Sequence, residues 1–182
     1  FVKSLFEKAG TQVLFVASKN EAKDTVKIIA EGIGMPLVSN RWVGGTLTNF
    51  EMTKKRVERL LKLTDEKEKG DLMKYTKKER LQIDKEIAKL ERKFAGISTM
   101  KTLPAAIFVI DSKYEAVAIQ EAKLKNIPVI TVANSDCNIK GIAYPILAND
   151  TSVESIKFFT EEIASVCKAK VSEIKEKAEV KK

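Results

Sequence analysis

Three short runs along the chain carry apolar residues with almost no polar alternation: Val13-Leu14-Phe15-Val16, Ile107-Phe108-Val109-Ile110 and Val129-Ile130-Thr131-Val132. A strand with one face in water alternates, whereas a strand covered on both faces does not, so these runs predict parallel strands between two layers of helix. Shorter candidates sit at Pro36-Leu37-Val38 and Tyr144-Pro145-Ile146-Leu147. Between the runs, apolar residues recur at helical spacing, as in Ala22/Val26/Ile29/Ile33 and Val117/Ile119/Ala122/Leu124. Strands alternating with helices in this way predict an α/β fold, a doubly wound, mostly parallel sheet of Rossmann or flavodoxin type.

The stretch from Phe50 to Phe94 breaks the rhythm with two charged helical patterns and no strand. Ile83, Ile87, Leu90 and Phe94 recur at steps of four, three and four, a coiled-coil seam, and Phe50, Val57, Leu60 and Thr64 face similarly in the first pattern. The polar link Asp65-Glu66-Lys67-Glu68-Lys69-Gly70-Asp71 predicts that the two arms fold back on each other. The expected organisation is a discontinuous α/β domain over residues 1–48 and 95–167, an inserted antiparallel coiled-coil helical hairpin over 49–94, and a charged tail over 168–182 that frays.

Five segments match a reciprocal helix cap, a Ser or Thr followed three residues later by an acid. They are Ser18 with Glu21, Thr48 with Glu51, Thr76 with Glu79, Ser112 with Glu115 and Thr151 with Glu154. The chain starts within an amphipathic helical pattern at Val2, Leu5 and Phe6, which suggests that a preceding segment has been removed or left out.

Composition narrows the chemistry. At 182 residues, 44% hydrophobic and 32% charged, the chain has enough apolar surface for one full core. Its net charge of +8 favours a polyanionic partner, although a lysine-rich solvated surface would give the same number. No histidine is present, which removes the commonest general base and most zinc-site patterns. Cys137 and Cys167 form no Cys-x-x-Cys pair and read as incidental thiols of a reduced intracellular protein, with no disulfide and no metal expected. No apolar run approaches the ~20 residues of a membrane span.

Open α/β sheets bind ligands at the carboxyl ends of their strands, which here carry Ser18, Lys19 and Asn20, then Asp111 and Ser112, then Asn134, Ser135 and Asp136. Asp111 and Asp136 form a carboxylate pair in an enzyme reading and cap turns in a structural one. No Gly-x-Gly-x-x-Gly follows the first strand and no Walker sequence occurs, so a nucleotide- or sugar-phosphate-binding enzyme lacks its phosphate cradle; no cofactor and no catalytic residue is assigned. Candidate RNA-binding residues are Arg41 and Trp42, beside Gly44 and Gly45, together with Lys54, Lys55, Arg56, Arg59 and Lys62 on the first helical pattern. Trp42 either stacks on a base or fills the junction between domain and hairpin. Lys85, Lys89 and Arg92 make a second stripe, and in both stripes interleaved glutamates are equally consistent with a solvated helix face.

The run Asn40-Arg41-Trp42-Val43-Gly44-Gly45-Thr46-Leu47-Thr48-Asn49-Phe50 resembles the segment that leads into the coiled-coil hairpin of small-subunit ribosomal protein two, bacterial type. Leu103-Pro104-Ala105-Ala106-Ile107-Phe108-Val109-Ile110-Asp111, with Glu115, Ile119, Glu121-Ala122 and Asn126-Ile127-Pro128 after it, resembles that family's second signature. The resemblance implies a structural constituent of the small ribosomal subunit that supports translation and is not an enzyme. Implied partners are small-subunit ribosomal RNA and other small-subunit proteins, including protein one in bacteria, with no membrane and no small-molecule substrate. The implied location is cytoplasmic, in the ribosome, with an organellar ribosome left open. Two departures stand out: the family's aromatic, basic N-terminal segment does not precede Phe1, and Asn134-Ser135-Asp136 with Asn138-Ile139 replaces its Asp-Thr-Asn and later Asp-Pro.

Overall fold

The computed structural model describes residues 1–6 and 11–179, without the side chains of residue 73 and residues 170–179. Its centre is a five-stranded sheet of β1 (Val13–Val16), β2 (Leu37–Val38), β3 (Ala106–Ile110), β4 (Val129–Ala133) and β5 (Tyr144–Leu147), in the order β2-β1-β3-β4-β5. Every pairing is parallel, with Phe15 opposite both Leu37 and Phe108, and Val109 opposite Thr131. The chain steps from β1 outward to β2 and then back past β1 to β3. The crevice at which a sheet of this order can receive a ligand therefore opens between the carboxyl ends of β1 and β3.

The pleat divides the core as the uninterrupted apolar runs predict. Val13, Phe15, Phe108, Ile110, Ile130 and Val132 face one layer, formed by α1 (Val2–Leu5), α2 (Asn20–Gly32) and α6 (Val153–Glu179), where Ala22, Val26, Ala30 and Ile156 meet them. Leu14, Val16, Ile107, Val109 and Val129 face the other, against Ala118, Ile119 and Ala122 of α5 (Ala116–Leu124). Phe15 and Phe108 pack edge to face at 5.4 Å, the favoured aromatic geometry, and neither is exposed at all. Burying a side chain of that size stabilises by about 1.5–3 kcal/mol.

α3 (Phe50–Glu68) and α4 (Lys77–Phe94) are joined by a 3-10 turn at Asp71–Lys74. Leu60, Leu63 and Ile87 gather in a cluster of their own, rimmed by Ile83 and Leu90, while Val57 and Phe94 join the second core layer. Leu63 takes the seam position that the pattern gives to Thr64, whose hydroxyl instead donates to the Leu60 carbonyl at 3.0 Å. Two exposed ion pairs cross between the helices, Arg59 to Glu86 at 3.3 Å and Lys67 to Asp84 at 2.8 Å. Below Phe94 a second 3-10 turn, Ala95–Ile97, lies against β2, and a Cβ on Gly96 would sit 2.2 Å from the Leu37 carbonyl oxygen, so only glycine lets the backbones approach this closely.

Local expectations fare unevenly. Of the five Ser/Thr-to-Glu patterns, the Thr76–Glu79 pair forms the reciprocal cap, with the Glu79 carboxylate accepting from the Thr76 N–H at 2.9 Å and the Glu79 N–H donating to Thr76 Oγ1. Among the described residues the Ser112 hydroxyl is buried without a hydrogen-bond partner, and at the other three, tertiary or turn partners take over. Ser18 donates to Glu115, Thr48 donates to Glu121, and the Asn149 side-chain carbonyl accepts from the Thr151 and Ser152 N–H groups. α6 runs to Glu179, through the segment from residue 168 where the sequence suggests a fraying tail; Lys, Ala and Glu are strong helix formers. Lys181 and Lys182 lie outside the described residues. β5 is an edge strand, and Pro145, which lacks an N–H, is tolerated there. Among the described residues no helix is long and apolar enough to cross a membrane.

Candidate nucleic-acid interface

The loop from Asn40 to Asn49 is organised by a single carboxylate. Glu121 is buried on α5, otherwise lined on that side by Ala118 and Ala122, and it faces the loop. Its Oε1 accepts from Trp42 Nε1 at 3.0 Å and the Gly45 N–H at 2.7 Å; its Oε2 accepts from the Leu47 N–H at 2.9 Å, the Thr48 N–H at 3.0 Å and Thr48 Oγ1 at 3.1 Å. Gly45 turns its N–H toward the carboxylate at a φ of +92°, where a side chain would be strained. Burial alone would push the Glu121 carboxyl up, but the donors from Trp42, Thr48, Gly45 and Leu47 outweigh it and hold the group below its ordinary value. Asn40 Nδ2 donates to the Arg92 carbonyl at 2.9 Å, which ties the other end of the loop to α4.

This arrangement bears on the two readings of Trp42. The indole is 8% exposed, belongs to the second core layer and spends its N–H on Glu121. It fills the junction between sheet and helices, as the alternative reading has it, and also lines the clefts on either side of the loop. Arg41 beside it is exposed, as are Lys54, Lys55, Arg56, Arg59 and Lys62 of α3. Arg59 is paired with Glu86, and Lys62 lies 3.9 Å from Glu66. Lys54, Lys55 and Arg56 have no ion pair among the described residues.

Arg41 does not join that α3 stripe. It lines a cleft of about 780 Å³ with Lys89, Arg92 and Lys93 of α4 and, on the other side of the loop, a cleft of about 610 Å³ with Ser18, Tyr114 and Glu115. Sequence reasoning named Lys89 and Arg92 as part of a second stripe without connecting them to Arg41, and it passed over Lys93. It also missed the role of Glu121, for which the available signal was a lone acid on an otherwise apolar helix face.

At the carboxyl ends of β1 and β3 the charged side chains pair with one another. Lys19 Nζ lies 3.0 Å from Asp111 Oδ2 and 3.5 Å from Asp150 Oδ1. Asp111 Oδ1 accepts the Lys113 and Tyr114 N–H groups at 3.0 Å each, and Glu115 accepts from both the N–H and the hydroxyl of Ser18. Burial works against charge on Lys19 and Asp111, yet their mutual contact, with the Tyr114 N–H on Asp111, keeps Lys19 raised and Asp111 lowered, both ionised. Burial raises the Glu115 carboxyl despite the Ser18 donors. Asp111, Cys137 and Asp150 offer ligand atoms within 4.8 Å of one another, the spacing of a metal site, but the Lys19 ammonium already serves as the cation for two of them. Asp136, the other half of the supposed carboxylate pair, is held by Lys113 at 3.0 Å. These contacts pair the charged groups at the strand ends with one another, and the cleft lined by Ser18, Tyr114 and Glu115 lies open beside them.

Comparison with known proteins agrees with the motifs. The family model described as ribosomal protein S2 matches residues 1–169. Proteins named small ribosomal subunit protein uS2 from two strains of Treponema pallidum, the Nichols strain among them, are each 41% identical over 157 residues, covering 86% of this chain and 54% of the relative. The chain thus spans about half the length of these curated relatives. With the family model spanning both the Arg41–Phe50 loop and the β3–α5 segment that holds it, the chain belongs to the ribosomal protein S2 family.

Proposed function

We propose that this chain is a structural, non-enzymatic constituent of the small ribosomal subunit that binds ribosomal RNA and neighbouring subunit proteins. What carries the reading is membership of the S2 family over residues 1–169. The internal ion pairs of Lys19 with Asp111 and Asp150 support it, because the charged groups at the strand ends are already spent on one another. In the same reading α3 and α4 are an antiparallel coiled-coil arm inserted at about residues 49–94, with α/β domain segments at 1–48 and 95–167. Arg41, Lys54, Lys55, Arg56, Arg59 and Lys62 hold RNA phosphates by charge, Arg59 and Lys62 exchanging their present carboxylate partners for phosphate. Small-subunit protein one is the proposed bacterial protein partner and the cytoplasm the proposed compartment.

Sedimentation of the tagged chain from a lysate tests this. Migration with small subunits is the expected result; slow migration apart from them would overturn the reading. Purified chain should in addition melt at the same temperature with or without ATP or NAD, since a bound ligand raises the melting temperature as its occupancy grows.

A further inference from the structure

The loop and the last turns of α4 form a basic cleft that the helix α3 stripe does not share. Lys89, Arg92 and Lys93 stand at i, i+3 and i+4 and so project from one face of α4. Arg41 approaches from the loop, and the four cations line one cleft of about 780 Å³ to which no described carboxylate contributes. None of the four is ion-paired among the described residues.

A solvated-surface explanation covers part of this. Cations in a final turn complement the partial negative charge of a helix C-terminus, which accounts for Arg92 and Lys93. It does not account for Arg41, which belongs to a different element and is carried to the same cleft by a loop that Glu121 and the Arg92 carbonyl hold in place. Four like charges around one cleft repel one another unless an anion lies between them. The floor leaves room for one: Ala88 is small, and at Gly44 a Cβ would meet nothing within 4 Å.

We infer that this cleft is a binding site for the phosphodiester backbone of an RNA strand, with Arg41, Lys89, Arg92 and Lys93 as its phosphate contacts; the inference rests on the ribosomal reading above and moves its main RNA contact from α3 to α4. An extended polyanion fits better than a compact one. Arg41 and Gly44 line both this cleft and the one beside Tyr114, so the surface continues across the loop instead of ending in a closed pocket. Cations outnumber the other polar groups of the lining, and the Trp42 N–H is already spent on Glu121, so the cleft favours phosphate over a base edge.

The test uses the full chain and RNA extracted from purified small subunits, with affinity measured over a range of salt concentrations. The variants are Arg41→Gln, the triple Lys89→Gln/Arg92→Gln/Lys93→Gln, and a control triple, Lys3→Gln/Lys125→Gln/Lys157→Gln, which removes the same charge from residues that do not line the cleft. All the replaced side chains are exposed, and unchanged melting temperatures show that each variant is folded. The α4 triple should flatten the slope of log affinity against log salt by about two to three units, and Arg41→Gln by about one, while the control changes it by less than one. Inorganic phosphate at matched ionic strength should not compete. Equal losses from the α4 and control triples, or competition by phosphate alone, would overturn the cleft while leaving RNA binding in place. Failure of the unaltered chain to bind the RNA would overturn the ribosomal reading itself, and the cleft with it.

Discussion

In the sheet, every residue from Val13 to Val16 and from Ala106 to Ile110 is completely removed from water, and both faces are covered by helices. Along α3 and α4 the separate apolar cluster amounts to Leu60, Leu63 and Ile87, with Ile83 and Leu90 half-buried at its rim. The two regions use similar apolar residues, yet one is held by burial on two sides and the other by a narrow seam. What joins them is both apolar, through Trp42, Leu47, Val57 and Phe94 in the second core layer, and polar. The five donors converging on Glu121 fix the loop that leads from β2 into α3, so the position of the paired helices depends on a carboxylate as well as on packing.

This contrast predicts graded effects. Phe108→Ala should be the most damaging, costing about 3–5 kcal/mol because a large side chain is lost from a site covered on all sides, and chemical denaturation should show the whole α/β unit destabilised. Glu121→Ala comes next, on the order of 3 kcal/mol, since each buried donor left unpaired costs about 1–3 kcal/mol and water re-solvates some of them. A core-like result for Phe108 with no effect at Glu121 would break the claim that the carboxylate helps hold the junction.

The pH dependence sharpens the same point. Glu121 is held below its ordinary carboxyl value, so the unfolded chain binds its proton more readily. Its stabilisation is fully present above about pH 4.3, the unperturbed value, and is lost as pH falls through the folded one. Glu115 is raised, and its contribution has the opposite sign: full below that unperturbed value and lost as pH rises through the folded one. Stability measured against pH should therefore lose its acid-side fall in part in Glu121→Gln, and gain at neutral pH in Glu115→Gln if Ser18 keeps its partner.

Much of the sheet was legible in the sequence and much of the junction was not. Uninterrupted runs such as Ile107 to Ile110 announce burial on both faces, and β1, β3 and β4 lie where they predict. Cap patterns misled at Ser18 and Thr48, because a nearby buried carboxylate competes for the same hydroxyl and N–H groups, and local spacing carries no information about a partner 97 or 73 residues away. Thr76 and Glu79 are exposed, with no such competitor, and there the local pattern holds. Arg41 was legible as a candidate, but its company was not: which helix face meets a loop is set by the packing of Phe94 and Gly96 against the sheet.

Smaller effects should come from the paired helices themselves. Ile87→Ala should cost about 2 kcal/mol, the low end for a buried aliphatic residue, and Leu90→Ala less because it is half-buried. Both should leave the sheet's cooperative unfolding intact. Removing the exposed Arg59–Glu86 pair should change stability by about 0.2–1 kcal/mol at most, seen as a melting shift near the limit of measurement.

Native-state amide hydrogen exchange on the full chain, compared with Glu121→Gln, tests the polar junction most directly. The predicted result is faster exchange at Gly45, Leu47 and Thr48 and along α3 and α4, with β1, β3 and β4 as protected as before. Unchanged protection in the loop, or equal loss of protection in the sheet and the paired helices, would contradict it.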